Sequence, residues 1–204
     1  NISAYIDSKL DSVINKESNR PSEPTNIVLY GFGRIGRLVA RMMTQTTGPG
    51  NYFRLRAIVI RKASEDDIFK RASLITKDSV HGPFDGTVRV DVENSCLVIN
   101  GNPVKVIYAS TPNDVIYDDY GIKNPVVIDN TGIWRDEKSL SVHLKSGASK
   151  VILTAPGKDN VKNIVYGINE DEIKKEDQII SAASCTTNAI VPILKVINDK
   201  FIIN

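Results

Sequence analysis

The stretch Gly31-Phe32-Gly33-Arg34-Ile35-Gly36 constrains the fold more than any other part of the sequence. It directly follows the apolar run 27–30 and precedes a helical pattern over residues 37–45. Glycines at this spacing let the chain turn tightly between a strand and a helix, and let its backbone approach a phosphate at the helix N-terminus. In this context the motif predicts a dinucleotide site, with a plain tight turn as the alternative. The glycines do not decide between a flavin and a nicotinamide cofactor.

The rest of the chain repeats the same rhythm. Apolar runs typical of buried strands lie at residues 56–60, 125–129, 150–153 and 178–180. Helical patterns, at 65–74 for example, separate them. This alternation predicts an α/β fold with a doubly wound parallel sheet of the Rossmann type, covered on both faces. Between residues 87 and 108 the apolar residues alternate with polar ones around Asn100-Gly101, which predicts an antiparallel β-hairpin insertion.

Composition narrows the classes of partner. Of the 204 residues 41% are hydrophobic and 25% are charged, which is the balance of a globular chain with a sizeable core. Lys plus Arg number 26 against 24 Asp plus Glu, and this net charge of +2 gives no electrostatic reason to expect a nucleic acid or a membrane as partner. No apolar run approaches the roughly 20 residues of a membrane span. Two cysteines are too few for a disulfide framework and favour a reducing, cytoplasmic location. No cluster predicts a metal site.

Both ends predict a fragment of a longer protein. The chain opens on Asn1, and residues 200–204 form an apolar, strand-like stretch without a terminator. We expect three parts. Residues 1–25 are an N-terminal extension with one apolar helical face and a Pro-containing linker, residues 26–184 are the nucleotide-binding domain, and residues 185–204 are the first helix of a truncated α+β catalytic domain.

Cys185 is the candidate nucleophile. It stands between the small residues 181–184 and an amphipathic helix whose apolar face carries Ile190, Val191, Leu194 and Ile197. The positive end of a helix dipole favours a thiolate there, and the small neighbours leave space for a substrate. The alternative is a buried cysteine that only packs. Cys96, within an apolar strand, is expected to be such a core residue.

The second predicted strand ends in Arg61-Lys62, where a dinucleotide fold that binds NAD carries an acidic residue for the ribose. Two interpretations remain open. The basic pair binds the 2′-phosphate of NADP, or it consists of solvated loop charges.

These motifs resemble the phosphorylating glyceraldehyde-3-phosphate dehydrogenase family from about residue 26 to the end of the chain. The resemblance rests on residues 27–37, on Asp78-Ser79-Val80-His81-Gly82, on Val98-Ile99-Asn100-Gly101 and, most specifically, on Ser184-Cys185-Thr186-Thr187-Asn188. It implies that Cys185 is the nucleophile and that Ser184 and Thr186 help to hold phosphate groups. The residues that it implies for NAD or NADP are Gly31, Gly33, Arg34, Ile35 and Gly36 along the pyrophosphate, and Thr131, Gly132 and Thr154 at the border of the cofactor.

The resemblance also implies an activity. The expected reaction converts glyceraldehyde 3-phosphate and inorganic phosphate to 1,3-bisphosphoglycerate through a cysteine thiohemiacetal and a thioester, in glycolysis or gluconeogenesis. A cytoplasmic homotetramer is expected for the full-length protein. The family's general-base histidine would lie beyond Asn204, so His81 and His143 are expected to be surface or structural residues and the fragment to be inactive.

The sequence departs from the family pattern at three places. Ala189 replaces the usual second cysteine, the acidic ribose ligand is missing, and residues 1–25 have no counterpart. The alternatives are an erythrose-4-phosphate dehydrogenase, which shares these motifs, and a non-catalytic dinucleotide-binding module that senses redox state through Cys185. Semialdehyde dehydrogenases fit Thr186-Thr187-Asn188 less well.

Overall fold

The computed structural model describes residues 23–45 and 52–202. The predicted N-terminal helix and most of the predicted linker lie outside these residues. The strands are β1 (Thr25–Tyr30), β2 (Phe53–Ile60), β3 (Lys77–Asp78), β4 (Gly82–Pro83), β5 (Val88–Asp91), β6 (Cys96–Ile99), β7 (Asn102–Tyr108), β8 (Val126–Asp129), β9 (Lys150–Leu153), β10 (Lys162–Asn163) and β11 (Ile179–Ser181). The helices are α1 (Arg34–Gln45), α2 (Asp67–Thr76), α3 (Glu137–Lys145) and α4 (Cys185–Phe201). Among the described residues, no helix is both long and apolar enough to cross a membrane.

One large sheet organises the described chain, in the order β10-β11-β9-β8-β1-β2-β7-β6-β5. Every neighbouring pair from β10 to β7 is parallel, and β6 and β5 continue the sheet in antiparallel fashion. The chain winds outwards from β1 to β2 and β7, then crosses back to β8 on the other side of β1. This is a doubly wound α/β sheet, as predicted, and its strand order reverses at β1.

Apolar residues cover both faces of the sheet, which explains why its strands are apolar throughout. On one face, Leu29 and Ile58 pack with residues of α1 and α2. On the other face, Val28 and Val127 pack with Leu140 of α3. The parallel strands are thus packed between two layers of helices, and their carboxyl ends lie along one edge of the sheet.

The hairpin region differs from the prediction. β5, β6 and β7 form the predicted antiparallel ladder, and Asn100 and Gly101 turn between β6 and β7 with φ of 48° and 80°. However, β7 also pairs in parallel with β2, through Ile58 and Val106. The expected insertion is therefore β5 and β6 alone, and β7 is a strand of the main sheet. Val106 and Ile107 of β7 are both buried and pack on opposite faces of the sheet, so this half of β7 is covered on both faces like the other parallel strands. The local pattern could not show this, because it does not encode the pairing of β7 with β2.

The helix ends also differ. α1 begins at Arg34, three residues before the predicted start, because the glycine turn is completed within the motif. The predicted strand-like stretch 200–204 is wrong over its first two residues, since Lys200 and Phe201 form the last turn of α4. Residues 203 and 204 lie outside the described part of the chain.

Candidate active site

The glycine motif forms the turn from β1 to α1, and two of its glycines are required by close packing. Gly31 has a φ of 90°, and a Cβ there would lie 2.8 Å from Thr131 Cγ2. A Cβ at Gly36 would lie 2.5 Å from the Gly31 carbonyl oxygen. At Gly33, by contrast, no atom lies within 4 Å of an added Cβ. Protein atoms thus fill the space beside Gly31 and Gly36, whereas the space beside Gly33, at the N-terminus of α1, is open to an anion.

A cavity of about 290 Å³ lies at the carboxyl ends of β1, β2 and β8, beside this turn. It occupies the point where the strand order reverses, which is where open α/β sheets bind their ligands. Among the residues that the structure describes, its charged lining consists of arginines, with no carboxylate. These and the aromatic lining residues are Arg37, Arg61, Arg71, Tyr30, Phe32 and Trp134.

A second strand-to-helix turn, from β11 to α4, carries Cys185. Ala183 has a φ of 58°, an uncommon conformation for a residue with a side chain, and its N–H donates to Ser181 Oγ at 2.9 Å. Asn188 Nδ2 donates to the carbonyl oxygens of Ala182 and Ser184 at 2.8 and 2.9 Å. These bonds fix the tight turn that places Cys185 as the first residue of α4.

The two cysteines occupy opposite environments. Cys185 is exposed at the N-terminus of α4. Cys96 is buried in β6, and burial raises the pKa of its thiol. Because a thiol must be accessible to react, the geometry favours Cys185 as the reactive thiol and agrees with a packing role for Cys96.

Comparison with known proteins identifies the family of the domain that contains the glycine turn. Residues 25–137 match the family model described as glyceraldehyde 3-phosphate dehydrogenase, NAD binding domain. The chain belongs to the glyceraldehyde-3-phosphate dehydrogenase family. It therefore carries the NAD(P)-binding domain of an oxidoreductase family, and NAD(P) is its cofactor.

Relatives within the family cover most of this chain. A glyceraldehyde-3-phosphate dehydrogenase-like protein of Pseudomonas aeruginosa is 55% identical over 201 residues, which are 98% of this chain and 44% of the relative. The glyceraldehyde-3-phosphate dehydrogenases of Thermotoga maritima and Clostridium acetobutylicum are 40% and 35% identical over 175 residues, which are 86% of this chain and 50% and 49% of those proteins. The chain spans about half the length of the curated relatives it matches.

The residues present fit a dinucleotide. The open space at Gly33 leaves room for a phosphate against the backbone of α1. Arg37 lines the adjoining cavity, and its Nε is buried without a hydrogen-bond partner among the described residues. An unpaired buried donor costs free energy, and a bound anion would satisfy it. Arg34 and Ile35, predicted to follow the pyrophosphate, are exposed on the same turn of α1.

The predicted basic pair separates in the structure. Arg61 lines the cavity directly after β2. Lys62 does not line it, and its Nζ lies 6.0 Å from the centre of the Tyr108 ring. Arg71 of α2 takes its place, held by two 3.1 Å bonds from its Nε and Nη2 to the buried Asp67. Sequence reasoning missed Arg71, although its spacing of four from Asp67 is the spacing of a helical ion pair.

Asp78, in the motif that carried part of the family resemblance, anchors the first turn of α1. It accepts backbone N–H bonds from His81 and Val80 at 2.9 and 3.0 Å, and these hold the pKa of its carboxyl well below the usual range. Arg34 Nε and Arg37 Nη2 lie 3.9 and 3.7 Å from the carboxylate. His81 is half-exposed and bonds Asp78 through Nδ1, so its role here is structural, as predicted.

The remaining predicted cofactor residues meet at the end of β8. Thr131 donates to Asp129 Oδ1 from both its backbone N and its Oγ1, at 2.7 and 2.6 Å. Thr154 donates to the Asp129 carbonyl oxygen from its N and Oγ1, at 2.9 and 3.1 Å. Gly132 follows with a φ of 64°. Asp129 is therefore the centre of this loop, although sequence reasoning gave it no role.

Ser184 and Thr186, predicted to hold phosphate groups, differ in their freedom. Ser184 Oγ caps α4 by accepting from Thr187 N at 2.9 Å, and it also bonds Thr187 Oγ1 at 2.7 Å. Thr186 is exposed beside Cys185. The hydroxyl of Ser184 is thus already hydrogen-bonded to Thr187 of α4, whereas the Thr186 side chain is exposed.

Proposed function

We propose that this chain supplies the dinucleotide site and the nucleophile of a phosphorylating glyceraldehyde-3-phosphate dehydrogenase. The observation that carries the proposal is the placement of Cys185. It is exposed at the N-terminus of α4, at the carboxyl edge of the sheet whose central strands form the dinucleotide crevice. A thiol so placed, next to the hydroxyl of Thr186, suits an aldehyde substrate that carries a phosphate.

In this proposal the Cys185 thiolate adds to the carbonyl carbon of the aldehyde and forms a thiohemiacetal. Bound NAD(P) would supply the hydride acceptor, so that the carbon would lose a hydride, its hydroxyl would lose a proton to the general base, and a thioester would result. Inorganic phosphate then attacks the thioester, which releases the acyl phosphate and returns the thiolate. The exposed N–H groups at the start of α4 and the Thr186 hydroxyl are the donors available to the oxygens of the substrate.

The general base of the proposed reaction is not one of the described histidines. His143 is fully buried against Asp129, and His81 bonds Asp78 at the start of α1. The contacts of the two rings are with these residues, and for His143 also with Tyr30 and Trp134, and not with Cys185. We therefore propose that the base belongs to the part of the intact protein outside these residues.

We further propose that the crevice favours NADP over NAD. Arg61 and Arg71 line it, and no carboxylate among the described residues does. A guanidinium binds a phosphate through charge-assisted hydrogen bonds, whereas a ribose 2′-hydroxyl is usually bound by a carboxylate.

The test is a set of rate measurements on the intact protein. Reduction of NADP with glyceraldehyde 3-phosphate should require inorganic phosphate and should exceed the rate with erythrose 4-phosphate. Cys96→Ser should keep the rate, since Cys96 is buried away from the turn. Phosphate-independent reduction, or a preference for erythrose 4-phosphate, would overturn the proposal. A redox-sensing module would show no reduction with either sugar.

Family membership supports the wider setting that we propose. The intact protein works in glycolysis or gluconeogenesis, in the cytoplasm and as a homotetramer, with a sugar phosphate and inorganic phosphate as its small-molecule partners. Analytical ultracentrifugation of the intact protein tests the oligomeric state.

A further inference from the structure

His143 of α3 is a buried polar residue that the proposed chemistry does not use. Its side chain and that of Asp129 are both fully buried, and His143 Nε2 lies 3.1 Å from Asp129 Oδ2. We assign the hydrogen of this bond to Nε2, because a carboxylate only accepts. The other ring nitrogen, Nδ1, has no hydrogen-bond partner among the described residues. Among the described residues, the hydrogen bond to Asp129 is therefore the one that the buried His143 ring makes.

The second oxygen of Asp129 holds the loop that follows β8. Oδ1 accepts both bonds from Thr131, and Thr131 Oγ1 in turn accepts from the backbone N of Ile133 at 3.2 Å. One oxygen of the carboxylate is therefore fixed by His143, and the other fixes the loop. The connection runs from the interior of α3 to the surface of the crevice.

This loop is part of the dinucleotide crevice. Thr131 and Ile133 line the cavity, and the Thr131 methyl group lies against Gly31, where it would meet any added Cβ. Tyr30 and Trp134, which also line the cavity, pack edge-on against the His143 ring with centroids 4.7 and 6.2 Å away. His143 thus contacts Tyr30 and Trp134 of the crevice directly, and it is connected to Thr131 through Asp129.

We propose that His143 is a positioning residue for the dinucleotide, acting through Asp129 on the Thr131 loop. Packing alone does not explain the pair, because apolar residues of similar volume are often as stable as a buried ionic pair or more so. The pair does what apolar residues cannot, since it fixes the rotation of the Asp129 carboxylate. The inference rests on dinucleotide binding in the crevice and not on the proposed reaction.

The experiment measures the Kd of NAD and of NADP for variants of the intact protein by calorimetry, without substrate. His143→Leu should weaken both dinucleotides about tenfold, the size of effect expected for a lost hydrogen bond to a charged group. The ratio of the two Kd values should stay unchanged, because the pair lies away from Arg61. His143→Gln, whose amide N–H can take the place of Nε2–H, should recover most of the affinity. Leu140→Val, an equally buried change on α3, should leave both Kd values within twofold.

A double-mutant cycle tests the route of the effect. Thr131→Val keeps the shape of the side chain and removes its bond to Asp129, so its loss and that of His143→Leu should overlap and not multiply. If His143→Leu does not fold, the cycle is run with His143→Gln and His143→Asn, whose shorter amide does not reach. Unchanged Kd values in a folded His143→Leu protein, independent losses in the cycle, or an equal loss in Leu140→Val would overturn the proposal. Because no substrate is present, a wrong reaction assignment would leave these results as predicted.

Discussion

Two turns of the same kind, β1 to α1 and β11 to α4, show how differently this chain supports its two chemical tasks. α1 packs into the core through Gly36, Ala40, Arg41 and Thr44, and Arg41 Nε donates to the Ile75 carbonyl at 2.7 Å. α4 has no buried residue: Ile190, Leu194 and Ile197 of its apolar face are exposed at 47%, 45% and 41%, and Ile193 and Val196 at 62% and 65%. The described part of the chain therefore leaves most of the apolar surface of α4 exposed.

The difference in packing between α1 and α4 follows the difference between cofactor binding at the first turn and the proposed reaction at the second. The glycine turn is held by both neighbouring strands, and described residues at the ends of β1, β2 and β8 line the cavity beside it. The cysteine turn is well fixed by its own hydrogen bonds, but the space around its thiol is open. An open site does not exclude water, and catalysis on a bound aldehyde gains from exclusion of water. In the proposed function, this chain therefore builds the dinucleotide site and presents Cys185 as the nucleophile.

The largest expected effect comes from the reactive turn. In the intact protein Cys185→Ser should abolish turnover, a loss of at least about a thousandfold, because a serine hydroxyl is a far weaker nucleophile than a thiolate. The Kd of NADP should stay the same. Steady-state rates and calorimetry check the two statements, and a joint loss of rate and cofactor binding would show that the turns are not independent.

The next largest effect separates two glycines of the same motif. Gly31→Ala should destabilise the protein by about 2–4 kcal/mol, since it combines a positive φ with a clash against Thr131. Gly33→Ala should change the free energy of unfolding by less than about 0.5 kcal/mol, yet weaken dinucleotide binding, because its Cβ points into open space. Denaturant titration with and without NADP distinguishes them. Similar stability losses at both positions would contradict the packing described.

Prediction from sequence worked where a signal is local. The apolar run before Gly31 and the helical spacing after Cys185 each report their own element, and both elements are present. The place of β7 in the main sheet depends on its pairing with β2, some fifty residues earlier in the chain, which no local pattern encodes. His143 has the same difficulty, because its partner Asp129 lies on another element. Arg61 and Thr131 were found from local motifs, whereas Asp129 and His143, which meet across two elements, were given no role in the crevice.

A smaller effect is expected at Arg61, on the choice between NADP and NAD in the dinucleotide crevice. Arg61→Ala should weaken NADP by about 1–3 kcal/mol, the range for one charge-assisted hydrogen bond, and leave NAD nearly unchanged. Lys62→Ala is the matched control, since Lys62 lies over Tyr108 and outside the cavity. Calorimetric titration with both cofactors measures the change. Equal losses for NAD and NADP would rule out a contact with the 2′-phosphate.

The smallest expected effect is on α4. In residues 1–204, Val196→Ser should change the free energy of unfolding by less than about 0.5 kcal/mol, as for an exposed site. The matched core change Ile58→Ala should cost about 2–5 kcal/mol. Thermal unfolding of the two variants provides the comparison. A cost above about 1 kcal/mol for Val196→Ser would show that a segment outside the described residues covers this face.

Whether residues 1–204 bind a dinucleotide without reducing it is tested most directly with Trp134, the one tryptophan of the chain, which lines the crevice. Residues 1–204 are titrated with NADP while the Trp134 emission is recorded, and glyceraldehyde 3-phosphate and phosphate are then added. We expect a saturable change in emission, weakened in Gly33→Ala, and no reduction of NADP afterwards. No change in emission would contradict a dinucleotide site built by this chain. Sustained reduction of NADP would contradict the separation of binding from reaction.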